Sequence, residues 1–125
     1  IPAALELQIN KERAEKLNCK VVIEAANGPT NDEADDILNK RNIEVIPDIL
    51  ANSGGVIVSY YEWLQNNRCE YWSREKVLNK LADHMSKTYI EVSNIKKEKN
   101  ITFREAAYVK SLIRLDNMYK YKGNI

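Results

Sequence analysis

Lys20-Val21-Val22-Ile23-Glu24-Ala25-Ala26-Asn27-Gly28-Pro29-Thr30, followed by Ile43-Glu44-Val45-Ile46-Pro47-Asp48, is the stretch whose reading decides the fold. Lys20 to Ala26 is a short apolar run rich in β-branched residues, which suits a strand buried on both faces better than an alternating surface strand. Asn27-Gly28-Pro29 stops the strand and turns the chain. Thr30-x-x-Glu33 has the form of a capping box and opens a helix to about Lys40, with Ala34, Ile37 and Leu38 inward. Ile43 to Ile46 is a second short strand, closed by Pro47-Asp48. Strand, helix and strand at this spacing form a βαβ unit, hence parallel strands joined by a right-handed crossover.

Working outward, Asn10 caps a short helix over Lys11 to Leu17, with Ala14 and Leu17 inward. On the other side, a loop from Ile49 to Ser53 precedes Gly54-Gly55 and a helix carrying Val56, Tyr60, Trp63 and Leu64. Tyr71-Trp72-Ser73 interrupts that helix, the two aromatic residues plugging the junction. Ser73 then caps a long helix with Val77, Leu81, Met85, Val92 and Ile95 along one side, ending at Asn100. Thr102-x-x-Glu105 is a second capping box, and Ala106, Val109, Leu112 and Ile113 are the inner face of the last helix. Tyr119 to Ile125 shows no strong pattern. Two parallel strands, with at most a third ending at Ile1, do not form a sheet able to stand alone. Five helices around so little sheet therefore predict an α/β fold, the second half of a doubly wound parallel-sheet domain followed by long C-terminal helices. The opening Ile1-Pro2-Ala3-Ala4-Leu5, without a methionine, is what a cropped or processed chain is expected to show.

Composition narrows the function. At 125 residues the chain supports one compact core, and 44% hydrophobic with 30% charged residues is ordinary for a globular domain. Nineteen Lys and Arg against eighteen Asp and Glu leave a net charge of +1, which argues against a nucleic-acid or anionic-membrane partner held by bulk charge. There is no apolar run of membrane-spanning length, and no basic-then-apolar leader opens the sequence. Cys19 and Cys69 are too few for a disulfide framework, so reduced thiols and a cytoplasmic location are expected. A single histidine, His84, and two cysteines fifty positions apart speak against a metal site. The four glycines cannot spell Gly-x-Gly-x-x-Gly or a Walker-type loop.

In an open α/β sheet, ligands bind beyond the carboxyl ends of the strands, and two loops lie there. In Ala25-Ala26-Asn27-Gly28-Pro29 small residues admit a ligand and the Asn27 amide both donates and accepts. A plain Asn-Gly turn into a capped helix accounts for the same residues. In Ala51-Asn52-Ser53-Gly54-Gly55-Val56 two glycines at a helix start present backbone N–H groups to a carboxylate or phosphate, or simply loosen that start. Ser59 lies one turn beyond Gly55, on the side of Val56, without a His-Asp pair to activate it. Glu24, inside an apolar strand, is either a perturbed carboxylate or a structural ion-pair partner. His84 reads as a surface or internally satisfied histidine, and the run Lys96 to Lys99 as a solvated helix end.

Taken together these segments resemble the C-terminal part of the glutamate dehydrogenases, within the Glu/Leu/Phe/Val dehydrogenase family. The resemblance rests on Ile1-Pro2-Ala3-Ala4-Leu5-Glu6, Glu24-Ala25-Ala26-Asn27-Gly28-Pro29-Thr30, Ile46-Pro47-Asp48-Ile49-Leu50-Ala51-Asn52, Gly54-Gly55-Val56, Tyr71-Trp72-Ser73, Lys97-Glu98-Lys99-Asn100 and Arg104-x-Ala106-Ala107-Tyr108. Val58-Ser59-Tyr60-Tyr61-Glu62-Trp63 favours the glutamate enzymes over those for leucine, valine and phenylalanine. Ser53 and Ile57 stand where the family usually has alanine and threonine, and Lys110, Arg114 and Asp116-Asn117 fall where it runs more apolar or small.

The resemblance implies oxidative deamination of L-glutamate to 2-oxoglutarate and ammonia, with hydride passing to NAD or NADP. It implies that residues 1–70 are the C-terminal half of a Rossmann-like dinucleotide-binding domain. Residues 71–125 are then a C-terminal helical region packing back toward a substrate domain. Ala3 and Ala4 would border the dinucleotide, Asn27 and Asn52 would hold its nicotinamide ribose region, and Val56 and Ser59 would line the substrate pocket. The family's catalytic lysine, catalytic aspartate and glycine-rich loop belong to regions outside this chain. The chain alone is therefore expected to be inactive, and the complete protein a homo-oligomer, a hexamer. The competing expectation is a noncatalytic interaction module that kept a dehydrogenase half-domain.

Overall fold

The computed structural model describes residues 1–123. Its elements are α1 (Lys11–Lys16), β1 (Val21–Ile23), α2 (Asp32–Lys40), β2 (Glu44–Ile46), α3 (Asp48–Ala51), α4 (Gly54–Arg68), α5 (Arg74–Lys99) and α6 (Phe103–Lys122). β1 and β2 pair in parallel, with Val21 opposite Glu44, Val22 opposite Val45 and Ile23 opposite Ile46, and α2 forms the crossover. The ladder is shorter than the apolar run because the backbone turns outward after Glu24. The Glu24 amide still donates to Ile46 of β2, but those of Ala25 and Ala26 both donate to the Pro2 carbonyl at 2.9 Å. Successive strand amides face opposite edges, so the opening of the chain lies along the side of β1 away from β2.

Two apolar clusters hold the elements, one on each face of the sheet. Val22 and Val45 pack with Ala14 of α1, Ala34 and Leu38 of α2, and Ile9 and Ile43. On the other face Ile46 packs against Leu50, Val92 and Ile95 of α5, and Phe103, Ala106 and Ala107 of α6. The alternation of a strand puts Val21 and Ile23 on that second face. There they remain 43% and 40% exposed, so the expectation of a strand buried on both faces holds for only one of them.

Most helix starts follow the sequence signals. Asn10 accepts from the Arg13 amide, Ser73 from that of Lys76, and Thr102 and Glu105 form the full reciprocal capping box. The first box is shifted by one residue. Ile9 bridges to the chain around Thr30, donating to the Pro29 carbonyl at 2.7 Å and accepting from the Asn31 amide at 3.1 Å, and Asn31 caps α2 by accepting from the Ala34 amide at 2.8 Å. The expected loop from Ile49 to Ser53 instead contains α3, because Pro47 presets an extended cap and Leu50 is buried in the second cluster. α6 extends to Lys122, past the expected fading at Tyr119, and closes at Gly123 with φ of +69°.

Between α4 and α5, Trp72 is the plug: its amide donates to Gln65 Oε1 and its ring lies 5.8 Å from that of Tyr61, with Lys76 over it. Tyr71 takes no part, being 97% exposed. Lys96 is no solvated helix end either, since its ammonium pairs with Glu44 of β2 at 2.5 Å and sits over the Phe103 ring. The proposed inner face of α6 holds through Ala106 and the half-buried Val109, but Leu112 and Ile113 are exposed. Lys110, one of the departures from the family pattern, ties α6 to α5 through an ion pair with Glu91.

Candidate functional site

The loops after β1 and β2 meet at the carboxyl ends of the strands and are tied together twice. At the tip, Asn52 Nδ2 donates to Asn27 Oδ1 at 2.7 Å and lies 3.3 Å from the Ala25 carbonyl. At the base, Asp48 takes the Gly28 amide on Oδ2 at 2.8 Å and the Ile49 amide on Oδ1 at 2.7 Å. Its own amide donates to Glu24 Oε2 at 2.9 Å. Gly28 has φ of +51°, a left-handed conformation that glycine adopts without strain, and a side chain there would meet nothing within 4 Å. Its glycine is thus required by the turn and not by a close neighbour.

Arg104 of α6 anchors this base. Glu24 is fully buried and receives Nη2 on Oε1 at 2.8 Å and Nη1 on Oε2 at 3.0 Å, the two-pronged geometry that a guanidinium offers a carboxylate. Arg104 Nε donates to Asp35 of α2 at 2.7 Å, and Nη1 lies 3.8 Å from Asp48. Burial alone would lower the guanidinium pKa, but its bonds to Glu24 and Asp35 outweigh that and raise it above the ordinary arginine value. The pairing reading of Glu24 is the one the structure bears out. Removing one partner of such a buried pair typically costs about 3–5 kcal/mol, because the other charge is stranded.

The anticipated site residues fall as follows. Asn27 and Asn52 touch, at the same end of the sheet. Val56 and Ser59 are exposed, and their spacing of three puts them on one side of α4. The Ser59 hydroxyl donates back to the Gly55 carbonyl at 3.0 Å. Ala3 and Ala4 are exposed beside Pro2, whose carbonyl is held by the loop after β1. His84 is on the surface. Asp48 and Arg104, which hold the base of these loops, carry no site motif in the sequence. The available signal was an acid directly after Pro47 at a strand end, and an arginine among the apolar residues that open the last helix.

Small residues and paired amides stand beyond the carboxyl ends of parallel strands, the place where open α/β sheets bind ligands. The sequence pattern of the Glutamate/Leucine/Phenylalanine/Valine dehydrogenases matches residues 1–123, and the chain belongs to that family. Within it, the chain is 50% identical over 123 residues to the NAD-specific glutamate dehydrogenase of Clostridioides difficile, a match covering 98% of this chain and 29% of that protein. It is 46% identical to the NADP-specific enzyme of a Synechocystis species over the same shares of each. Among solved structures, glutamate dehydrogenase from Peptoniphilus asaccharolyticus superposes with a TM-score of 0.94 at 47% identity, over 99% of this chain and 31% of that one. L-tryptophan dehydrogenase from Nostoc punctiforme gives a TM-score of 0.76 at 26% identity, over 95% and 34%. The chain thus spans 29% of the length of the first two relatives.

Proposed function

We propose that this chain is part of a cytoplasmic, hexameric glutamate dehydrogenase using NAD or NADP. In this reading residues 1–70 are the C-terminal half of its Rossmann-like dinucleotide-binding domain, and residues 71–125 the helical region that follows. The observation that carries it is the Asn52–Asn27 hydrogen bond where the loops of two parallel strands meet. It fixes two amides, leaving the Asn27 Nδ2 donors and the Asn52 Oδ1 acceptor for ribose hydroxyls. The surroundings fit such a group. Ala3 and Ala4 place no bulk at the chain opening, and the acids beneath the loops are already occupied, Glu24 by Arg104 and Asp48 by two amides.

The bound nicotinamide would supply the hydride acceptor. Asn27 and Asn52 would orient its ribose, and Val56 and Ser59 would face the substrate side chain, with the hydroxyl turning from Gly55 to the distal carboxylate. Relatives specific for NAD and for NADP both match this chain, at 50% and 46% identity, in keeping with either dinucleotide.

A chimera tests the reading. Residues 1–123 replace the matching part of the Clostridioides difficile enzyme, and glutamate-dependent NAD reduction is measured. Activity within tenfold of the parent is expected, and none above background from the 125-residue chain alone. A chimera that folds and assembles like the parent yet reduces no NAD would favour a noncatalytic module instead.

A further inference from the structure

We propose that Arg104 is a positioning residue for the dinucleotide loops, holding the Asn27–Asn52 pair in place from α6 through Glu24 and Asp48; this rests on the reading of those loops as the dinucleotide site. The contacts form a continuous path. Arg104 grips both oxygens of Glu24, Glu24 Oε2 receives the Asp48 amide, Asp48 Oδ2 receives the Gly28 amide, and Asn27, the preceding residue, receives Asn52. Asn52 closes the ring by approaching the Ala25 carbonyl, next to Glu24.

Each link has a reason to depend on the one before it. No side chain packs where a Gly28 Cβ would stand, so hydrogen bonds hold the turn: its carbonyl accepts from the Leu7 amide at 2.9 Å, and its amide, on the side of the asparagines, donates to the Asp48 carboxylate. Asp48 is oriented by the oxygen its amide meets, and that oxygen belongs to a fully buried carboxylate. A buried carboxylate stays in place as an anion only if a cation accompanies it, and the cation here arrives from eighty residues away in sequence. A lysine at 104 would restore the charge but not the fork, leaving one Glu24 oxygen free to rotate away from Asp48.

Arg104 also reaches Asp35 on α2, so it has two separable roles. The Asp35 arm joins α6 to α2 and touches no loop residue of the site. The Glu24 arm, together with the 3.8 Å approach of Nη1 to Asp48, leads to the asparagines. A purely structural arginine would lose stability through either arm, with dinucleotide binding following stability in both cases. A positioning arginine would not.

The test uses the complete enzyme carrying this chain, assembled as the active chimera, and four substitutions: Arg104→Met, Arg104→Lys, Asp48→Asn and Asp35→Asn. The readouts are the Kd for NADH by fluorescence titration, the KM for glutamate, kcat and Tm. Arg104→Met is expected to raise the NADH Kd at least tenfold and Asp48→Asn at least fivefold, with Arg104→Lys between the parent and Arg104→Met. The KM for glutamate should stay within twofold throughout. Asp35→Asn should lower Tm while leaving the NADH Kd within twofold of the parent. If Arg104→Met does not fold, Arg104→Lys and Asp48→Asn decide together, the first by breaking the fork on Glu24 and the second by weakening the link from Asp48 to Gly28. An NADH Kd within twofold of the parent in Asp48→Asn, or an affinity loss in Asp35→Asn proportional to its loss of Tm, overturns the proposal. Failure of the unsubstituted chimera to bind NADH would instead overturn the dinucleotide reading itself.

Discussion

The Ser59 hydroxyl donates to the Gly55 carbonyl one turn back, which is how an unliganded serine in a helix satisfies its proton. To meet a substrate carboxylate it must exchange that bond for a stronger one to a charged acceptor, so only the difference reaches the reaction. Ser59→Ala in the complete enzyme is therefore expected to lower kcat/KM for glutamate relative to norvaline by roughly fivefold, about 1 kcal/mol. An unchanged ratio would show that Ser59 does not read the distal carboxylate. The placement of such residues is legible in a sequence because it depends on local spacing: Asn27 and Asn52 follow strands, and Ser59 shares a helix side with Val56. Arg104 and Glu24 were not legible as a pair, because eighty residues separate them and only folding brings them together. Thr30 shows the converse limit. Its spacing to Glu33 is right for a cap, yet Ile9 bonds the Pro29 carbonyl and the Asn31 amide on either side of it, and Asn31 takes the cap.

At the scale of the helix, the capping box of α6 makes a pH-dependent contribution with a defined sign. Glu105 accepts from the Thr102 amide at 2.8 Å and from its hydroxyl at 2.9 Å, and these bonds hold its carboxyl below the ordinary value near 4.5. A carboxyl whose folded pKa is lowered contributes stability that is complete above the unfolded pKa. That contribution is lost as pH falls through the folded one. Glu105→Gln keeps an acceptor but no charge, so the Tm difference between parent and variant should be constant near neutrality and shrink as pH falls below about 4.5. A difference independent of pH would remove the box from the account. Periodicity predicted the helices well because caps and apolar spacing are local. It failed on which faces are covered: Leu112 and Ile113 keep the apolar spacing of a buried face while being 62% and 50% exposed. A helix's pattern states which side avoids water, and only the tertiary arrangement states whether a neighbour is there to meet it.

At the scale of the molecule, two apolar clusters sandwich a two-stranded sheet, and Arg104 joins α6 to the sheet's carboxyl end. The βαβ order and the parallel pairing were readable from two β-branched runs and the capped helix between them. The partly open second face was not, because Val21 and Ile23 read as core whatever covers them. Under the proposed reading that face and the Pro2 edge belong inside a larger sheet, and the asparagine pair lies under the nicotinamide end of a dinucleotide. The most direct test is a crystal structure of the complete enzyme with NAD(H) bound. The account predicts the nicotinamide ribose at about 3 Å from the side-chain amide of Asn27 or Asn52, with Val56 and Ser59 turned toward the nicotinamide; a dinucleotide bound at the amino ends of the strands, or out of reach of both asparagines, would contradict it.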